Sequence, residues 1–366
     1  MSALTGSDPI STILNLVYLG VFVVFMFFSQ KIQALLMMRQ VSHALTRLQS
    51  MRDKAKQAIT TAIIEVGRPV GDPKPRLERL LQFFTIPPEG MDPAGVVQRL
   101  EHLFDTADSR IRDEIRAIAP SADERQLLNL QNLLEAAQAL NTLYRVVRHY
   151  YLLGKKDGTL YSTVQVQMQL PTIMEEAEAY LSFLDAFTQG KPVGDGVGAL
   201  TVSKLMAGQE RREIAKEMVV AETTVDGRRV LATKAKGPGG AVGKVGDAVS
   251  SLIEANAGKV RLVVMVDAGL KLEGEDSGDI AEGIGAAIGG IGVDKYKIEE
   301  AATKHNIPVY AIVIKESLKE VLAPMTETIS HAADGAMSRF RSIIQERTKE
   351  GDTIIVVGVG NTIGIE

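Results

Sequence analysis

The sequence predicts an α/β protein in three parts: an N-terminal membrane-spanning helix over 1–30, an all-helical middle region over 31–188, and a C-terminal three-layer α/β/α domain over 189–366 with a mostly parallel sheet. Three observations predict it. No charged residue occurs from Ile10 to Gln30. Apolar residues then recur at helical spacing through the middle of the chain. After residue 190 glycine becomes frequent, and β-branched runs alternate with helical stretches, the pattern of a sheet covered by helices on both faces.

The run ILNLVYLGVFVVFMFF is long enough, as a helix, to cross a hydrocarbon core. The segment before it, MSALTGSDP, lacks the positive start of a cleavable signal, which argues for an uncleaved anchor. Lys31, Arg39, Arg47, Arg52, Lys54 and Lys56 follow the run and only Asp8 precedes it. The positive-inside rule therefore predicts a single-pass protein of the cell membrane with its C-terminal domain in the cytoplasm.

Composition narrows the function. A net charge of −4 gives no electrostatic case for nucleic acid, and the absence of Trp leaves little for a base-stacking surface. With no cysteine, the chain has no disulfide, thiolate nucleophile or cysteine-ligated metal site.

In the middle region Val41, Leu45, Leu48, Ala55, Ile59, Ala62 and Val66 form a heptad stripe, with Arg52 interrupting one core position. Residues 41–66 are either a coiled coil that makes a homo-oligomer or a stripe packed on the helices that follow. VGRPVGDPKPR (66–76) is a linker and IPPEGMDPAG (86–95) a second break. Ser121 with Glu124 reads as a capping box opening a long helix through Leu127, Leu130, Leu134, Ala137 and Leu143.

The candidate strands are 217–223, 228–235, 260–267, 307–315 and 353–360, the first two joined as a hairpin through the turn VDG. Asp267 closes the strand VRLVVMVD, and Asp195 sits in the turn PVGDGVGAL. Ionisable residues at strand ends face the crevice where open α/β sheets bind ligands. The bland alternative for Asp195 is a cap on the next helix.

Glycine-rich turns add candidates. GPGGAVGKV (237–245) has the wrong spacing for a Walker loop and Val245 where a Ser or Thr should stand. GIGAAIGG (283–290) and GVGNTIG (358–364) each lack the third glycine of a dinucleotide fingerprint. Their backbone amides could still meet an anion, with Lys244 and Lys295 following glycine turns. Gly194, Gly196, Gly283, Gly285, Gly289, Lys295 and Asn361 are thus the candidate ligand contacts.

The blocks VGDGVGAL–SKLM, VDAGL, SGDIAEG and IGGIGVDK together resemble the germination-protease group and its hydrogenase-maturation endopeptidase-like relatives. The whole chain also resembles an archaeal family of membrane-anchored proteins of unknown function. The first resemblance covers about 190–366 and implies a phosphorylase/hydrolase-like α/β/α fold. It implies that Asp195 and Asp267 are an aspartic-protease-like pair acting on a protein or peptide substrate. In the hydrogenase-maturation relatives the matching acids hold a metal with a histidine. None of the five histidines here falls in such a motif, so neither metal nor cofactor is expected. Those relatives carry a strand directly before the acidic turn. Here that strand stands at the end, IIVVGVGNT, which points to a circularly permuted domain with Asn361 facing the two aspartates. The expected function is a membrane-anchored peptidase or hydrolase. Its alternatives are a non-catalytic module binding a partner or nucleotide-like ligand on the same fold, or a membrane-tethered scaffold.

Overall fold

The computed structural model describes residues 9–85, 95–157, 160–290 and 292–366. The chain divides into two units, Met1–Ser50 with Thr142–Met174, and Met51–Asn141 with Glu175–Glu366. The break read over 86–95 lies outside the described residues except for Gly95, which precedes a helix with φ of 78°.

The first correction concerns the N-terminus. Among the described residues no helix is long and apolar enough to cross a membrane. This overturns the transmembrane anchor over 1–30, and with it the single-pass topology and the cell-membrane location. The apolar run does not form a helix of its own. It opens α1 (Pro9–Ala62), which continues without a break into the charged sequence beyond it. Within the run Asn15 and Gly20 interrupt the apolar side chains.

In the first unit, α4 (Glu124–Asp157) contributes its C-terminal half and α5 (Leu160–Gln189) its N-terminal half, with Pro171 inside the helix. Val41, Ala44, Leu48, Val147 and Val166 are buried, and Gln167 Nε2 donates to Gln40 Oε1 at 2.8 Å. In the second unit the α1 stripe continues through Met51, Ala55, Ile59 and Ile63. The interior position is Met51 rather than Arg52, whose guanidinium pairs with Asp53. Leu45, Ala62 and Val66 of the predicted stripe are half-buried.

The remaining helices of the second unit's N-terminal part are α2 (Lys74–Leu80), which begins inside the supposed linker, and α3 (Val96–Ile118). The capping box of α4 is made by Asp123 and Gln126, each backbone N–H donating to the other's side chain, at 2.8 and 2.7 Å. Ser121 and Glu124 do not form it. Glu124 lies one residue inside the helix and pairs with Arg116 at 2.5 Å.

The second unit is built on a seven-stranded sheet of order β1-β2-β3-β7-β4-β6-β5. Its strands β2 (Met218–Val225), β3 (Arg228–Ala235), β4 (Val260–Leu270), β6 (Val309–Glu316) and β7 (Thr353–Gly358) fall on the five apolar runs. The β2–β3 turn places Asp226 and Gly227 at φ of 48° and 76°, as a two-residue hairpin of primed type requires. Two further strands, β1 (Arg211–Ala215) and β5 (Ile280–Ile284), carry too few apolar residues to stand out in the sequence. Both lie at edges. The sheet is mixed rather than mostly parallel: β3–β7, β7–β4 and β4–β6 pair parallel, while β1–β2, β2–β3 and β5–β6 pair antiparallel.

All six residues of β7 are buried, as expected of an unbroken Ile/Val strand covered on both faces. One face packs on α7 (Val245–Ala255) and α8 (Val293–Lys304), with Val263, Met265, Ile355 and Val357 meeting Val249, Leu252 and Ile298. The other packs on α6 (Val197–Met206) and α10 (Glu327–Arg347), with Val264, Ile312 and Val356 meeting Val202, Ile329 and Phe340. Phe340 is fully buried. Phe340→Ala should therefore lower the unfolding free energy by about 3–5 kcal/mol in urea titrations. A change under about 1 kcal/mol would contradict this account of the core.

Candidate functional site

The parallel strands β4, β7 and β6 end side by side, and their carboxyl ends carry the candidate chemistry. The last β4–β7 rung is Val266 with Gly358, and Asp267 lies one residue beyond it. Val359 continues from β7 by donating its N–H to the Val266 carbonyl at 2.9 Å. A short 3₁₀ turn, Gly194–Gly196, arches over these ends and leads into α6.

Close approach explains the glycines of this turn. A Cβ on Gly194 would overlap Glu316 Oε2 and the Glu320 carbonyl, and one on Gly196 the Asn361 carbonyl. A Cβ on Gly198 would overlap the Val266 carbonyl, with Val359 O 2.5 Å away. Gly360, at φ of 116°, has no room for a side chain against the Asp195 carbonyl. Close packing on Glu316, Glu320, Asn361, Val266 and Val359 thus accounts for the glycines of G-D-G-x-G.

Asp195 does not cap α6, which has no side-chain cap. Its Oδ2 instead accepts the Asn361 N–H at 2.7 Å. The Asn361 side chain turns away toward α4, donating to Asn132 Oδ1 at 3.1 Å and accepting from Ile363 N at 3.0 Å. Asp267 is buried, and its Oδ1 accepts from Ala268 N at 2.9 Å. Burial first, and then the neighbouring Asp195 charge, push the Asp267 carboxyl up to about 8. Burial also raises Asp195, partly offset by the Asn361 N–H.

Both aspartates line a cleft of about 420 Å³. Gly243 and Lys244 before α7, Gly289, Gly290 and Gly292 before α8, and Glu101 and Phe104 of α3 complete its wall. Two lysines face it, and acids hold both. Lys244 pairs with Asp105 of α3, and Lys297 pairs with Glu101 of α3 and, at 2.5 Å, with Asp247 of α7. Together with the Arg112–Glu217 pair these contacts seat α3 on the α/β region.

Of the candidate residues, the cleft brings together Asp195, Asp267 and Gly289, while Gly194, Gly196 and Asn361 support it from beneath. Gly283 and Gly285 stand elsewhere, in and just after the edge strand β5, where Gly285 N–H donates to the Val309 carbonyl at 2.8 Å. Lys295 is exposed on α8, and Lys297 faces the cleft instead. Among the described residues no group of three or more His, Cys, Asp and Glu side chains is placed to hold a metal ion.

A carboxyl group also escaped the sequence reading. Glu316, the last residue of β6, is fully buried with neither carboxyl oxygen hydrogen-bonded. Burial, then Asp195, Glu320 and Asp267, push it up to about 8. In the sequence it sits within KESLKE, which reads as a solvated helix start. The only sequence signal is its place at the end of an apolar strand, the criterion that selected Asp267.

Two family models match the chain. One, described as the N-terminal domain of a protein of unknown function (DUF1512), covers residues 15–190, and the other, a DUF1512 C-terminal domain of unknown function, covers residues 193–366. No curated protein and no solved structure matches. The sheet is the mixed one described above, not the mostly parallel sheet expected of a phosphorylase/hydrolase-like domain, although β7 is interior and parallel to both neighbours. The matches carry no archaeal source, no membrane anchor and no peptidase or hydrolase activity. With both halves matched, the chain belongs to the DUF1512 family.

Proposed function

We propose that the cleft is an acid/base site that hydrolyses an amide bond of a peptide-like substrate through Asp195 and Asp267. The observation that carries the reading is the Asp267 carboxyl. It lines an open cleft beside a second carboxyl group and is pushed up to about 8, so it keeps its proton at neutral pH. Two coupled carboxyls in unlike surroundings separate the acid from the base. Asp195, whose ionised form accepts the Asn361 N–H, is the base: it takes a proton from water as the oxygen adds to the carbonyl carbon. Asp267 gives its proton to the departing nitrogen as the C–N bond breaks. The likeness of Gly194-Asp195 and Asp267-Ala268 to germination-protease motifs supports the reading on sequence grounds.

Asp267→Asn keeps size and removes the acid, so cleavage should fall by a factor of roughly 10²–10⁴ while the unfolding midpoint does not fall. The assay is mass spectrometry of a peptide library incubated with the full chain. Identical fragments from wild type and variant, or none from either, would abandon the hydrolase.

One observation favours a second reading, a non-catalytic binding module. Gly290 and Gly292 line the cleft at φ of 88° and 87°, the open backbone that admits a ligand closely. On that reading Asp267→Asn leaves ligand affinity intact, while Gly290→Val removes it.

A further inference from the structure

A fully buried carboxyl with no hydrogen bond is costly in its charged form, and Glu316 is one of very few such side chains among the described residues. Its position is specific. Glu316 Oε2 presses on the backbone of Gly194, the residue next to Asp195, so closely that no side chain fits there. Side chains alternate across β6 and β4. Glu316 follows Ile312 and Ile314 onto the α6/α10 face, whereas Asp267 follows Val263 and Met265 onto the α7/α8 face. The Asp195 turn arches over both strand ends, and Asp195 is a charged neighbour of both carboxyls. The charged groups facing Glu316 are all acidic. They are Asp195 of the turn, Asp267 of β4 and Glu320 of α9 (Leu318–Leu322). Glu320 is held apart by Ser317 and by Ser277, which donates at 2.7 Å.

We propose that Glu316 is a positioning residue of the site: a sealed third carboxyl that keeps its proton, so that Asp195, whose Oδ2 accepts the Asn361 N–H, is the ionised base between two neutral acids. The inference rests on the acid/base reading of Asp195 and Asp267, and it adds a regulator that never touches substrate. Glu316 does not line the cleft, so its proton leaves only as the pH rises. Its charge then opposes further ionisation beside it. Glu316 thereby helps Asp267 hold its proton and extends the alkaline limit of the pair.

Infrared titration of the full chain tests this without a substrate, by following the C=O band of protonated carboxyl groups. At neutral pH the Glu316→Gln spectrum should lack one protonated-carboxyl band that wild type shows. The remaining Asp267 band, identified by its loss in Asp267→Asn, should disappear at lower pH than in wild type. Asp195→Asn, which leaves Glu316 in place, should lower the titration of both bands and covers the case in which Glu316→Gln fails to fold. Two outcomes would overturn the proposal. One is a neutral-pH spectrum unchanged by Glu316→Gln. The other is Asp267 and Glu316 bands that titrate alike with and without the Asp195 charge. Peptide cleavage reads the other claim separately. If the bands behave as expected but Asp267→Asn cleaves like wild type, the hydrolase fails and the carboxyl coupling stands. In a cleaving protein, Glu316→Gln should move the alkaline limb of the rate profile downward.

Discussion

Raising the pH from about 5 to about 9 should destabilise this protein, against the usual behaviour of carboxylates paired in the folded state. Asp267 and Glu316 are each pushed up to about 8, whereas the unfolded chain releases these protons near pH 4. Between those limits the folded state binds more protons than the unfolded state, so stability falls as pH rises through the window. Below about pH 4 neither group contributes a pH dependence. At about 1.4 kcal/mol per pKa unit, each carboxyl could remove up to about 5 kcal/mol by pH 9. Coupling between the groups and relaxation of the site reduce this, and a combined loss of about 3–5 kcal/mol is expected. Urea unfolding at stepped pH reads it directly, and Asp267→Asn or Glu316→Gln should each flatten the curve. A stability that is level or rising up to pH 8 would refute the burial assigned to these groups.

Gly198→Ala should have an effect of similar size from one methyl group. The added carbon would meet the Val266 and Val359 carbonyls, backbone atoms of the two central strands that no rotamer change can move. Ala199 N–H donates to that same Val359 carbonyl at 3.1 Å, so lifting α6 away also breaks the bond that docks it. A loss of about 3–5 kcal/mol is expected, above the usual range for overpacking because nothing flexible can yield. The unfolding midpoint measures it. Gly208→Ala, with open space around it but φ of 72°, is the comparison and should cost only about 1 kcal/mol of backbone strain.

These results follow from features of unequal visibility in the sequence. The central strands were legible because burial on both faces demands continuous apolar runs, as in TIIVVG and VRLVVMV. The edge strands were not. RREIA and IAEGI each face a neighbour on one side only, and they tolerate charge and glycine. Asp267 was legible as a charge ending an apolar strand, and Asp195 as a charge among glycines. The purpose of those glycines was hidden, since whether a glycine serves a ligand or a neighbouring carbonyl depends on what folds against it. Gly283 and Gly285 looked equivalent to Gly289 in sequence, yet edge pairing claims the first two. Lys297 was missed in favour of Lys295 because helix phase decides which of two nearby lysines faces inward. The apolar N-terminal run, uncharged over its length, opens a 54-residue helix, and among the described residues no helix is long and apolar enough to cross a membrane.

The seating of α3 has a consequence for how the chain can be divided. Glu101 and Phe104 belong to the segment matched by the N-terminal family model, yet they wall a cleft whose aspartates belong to the C-terminal one. The boundary near residue 190 is therefore a seam in the sequence and not in the working unit. Expressed alone, residues 193–366 would present a trough open to solvent, with Lys244 and Lys297 stripped of their α3 carboxylates. A cut at that boundary would therefore remove part of the cleft wall.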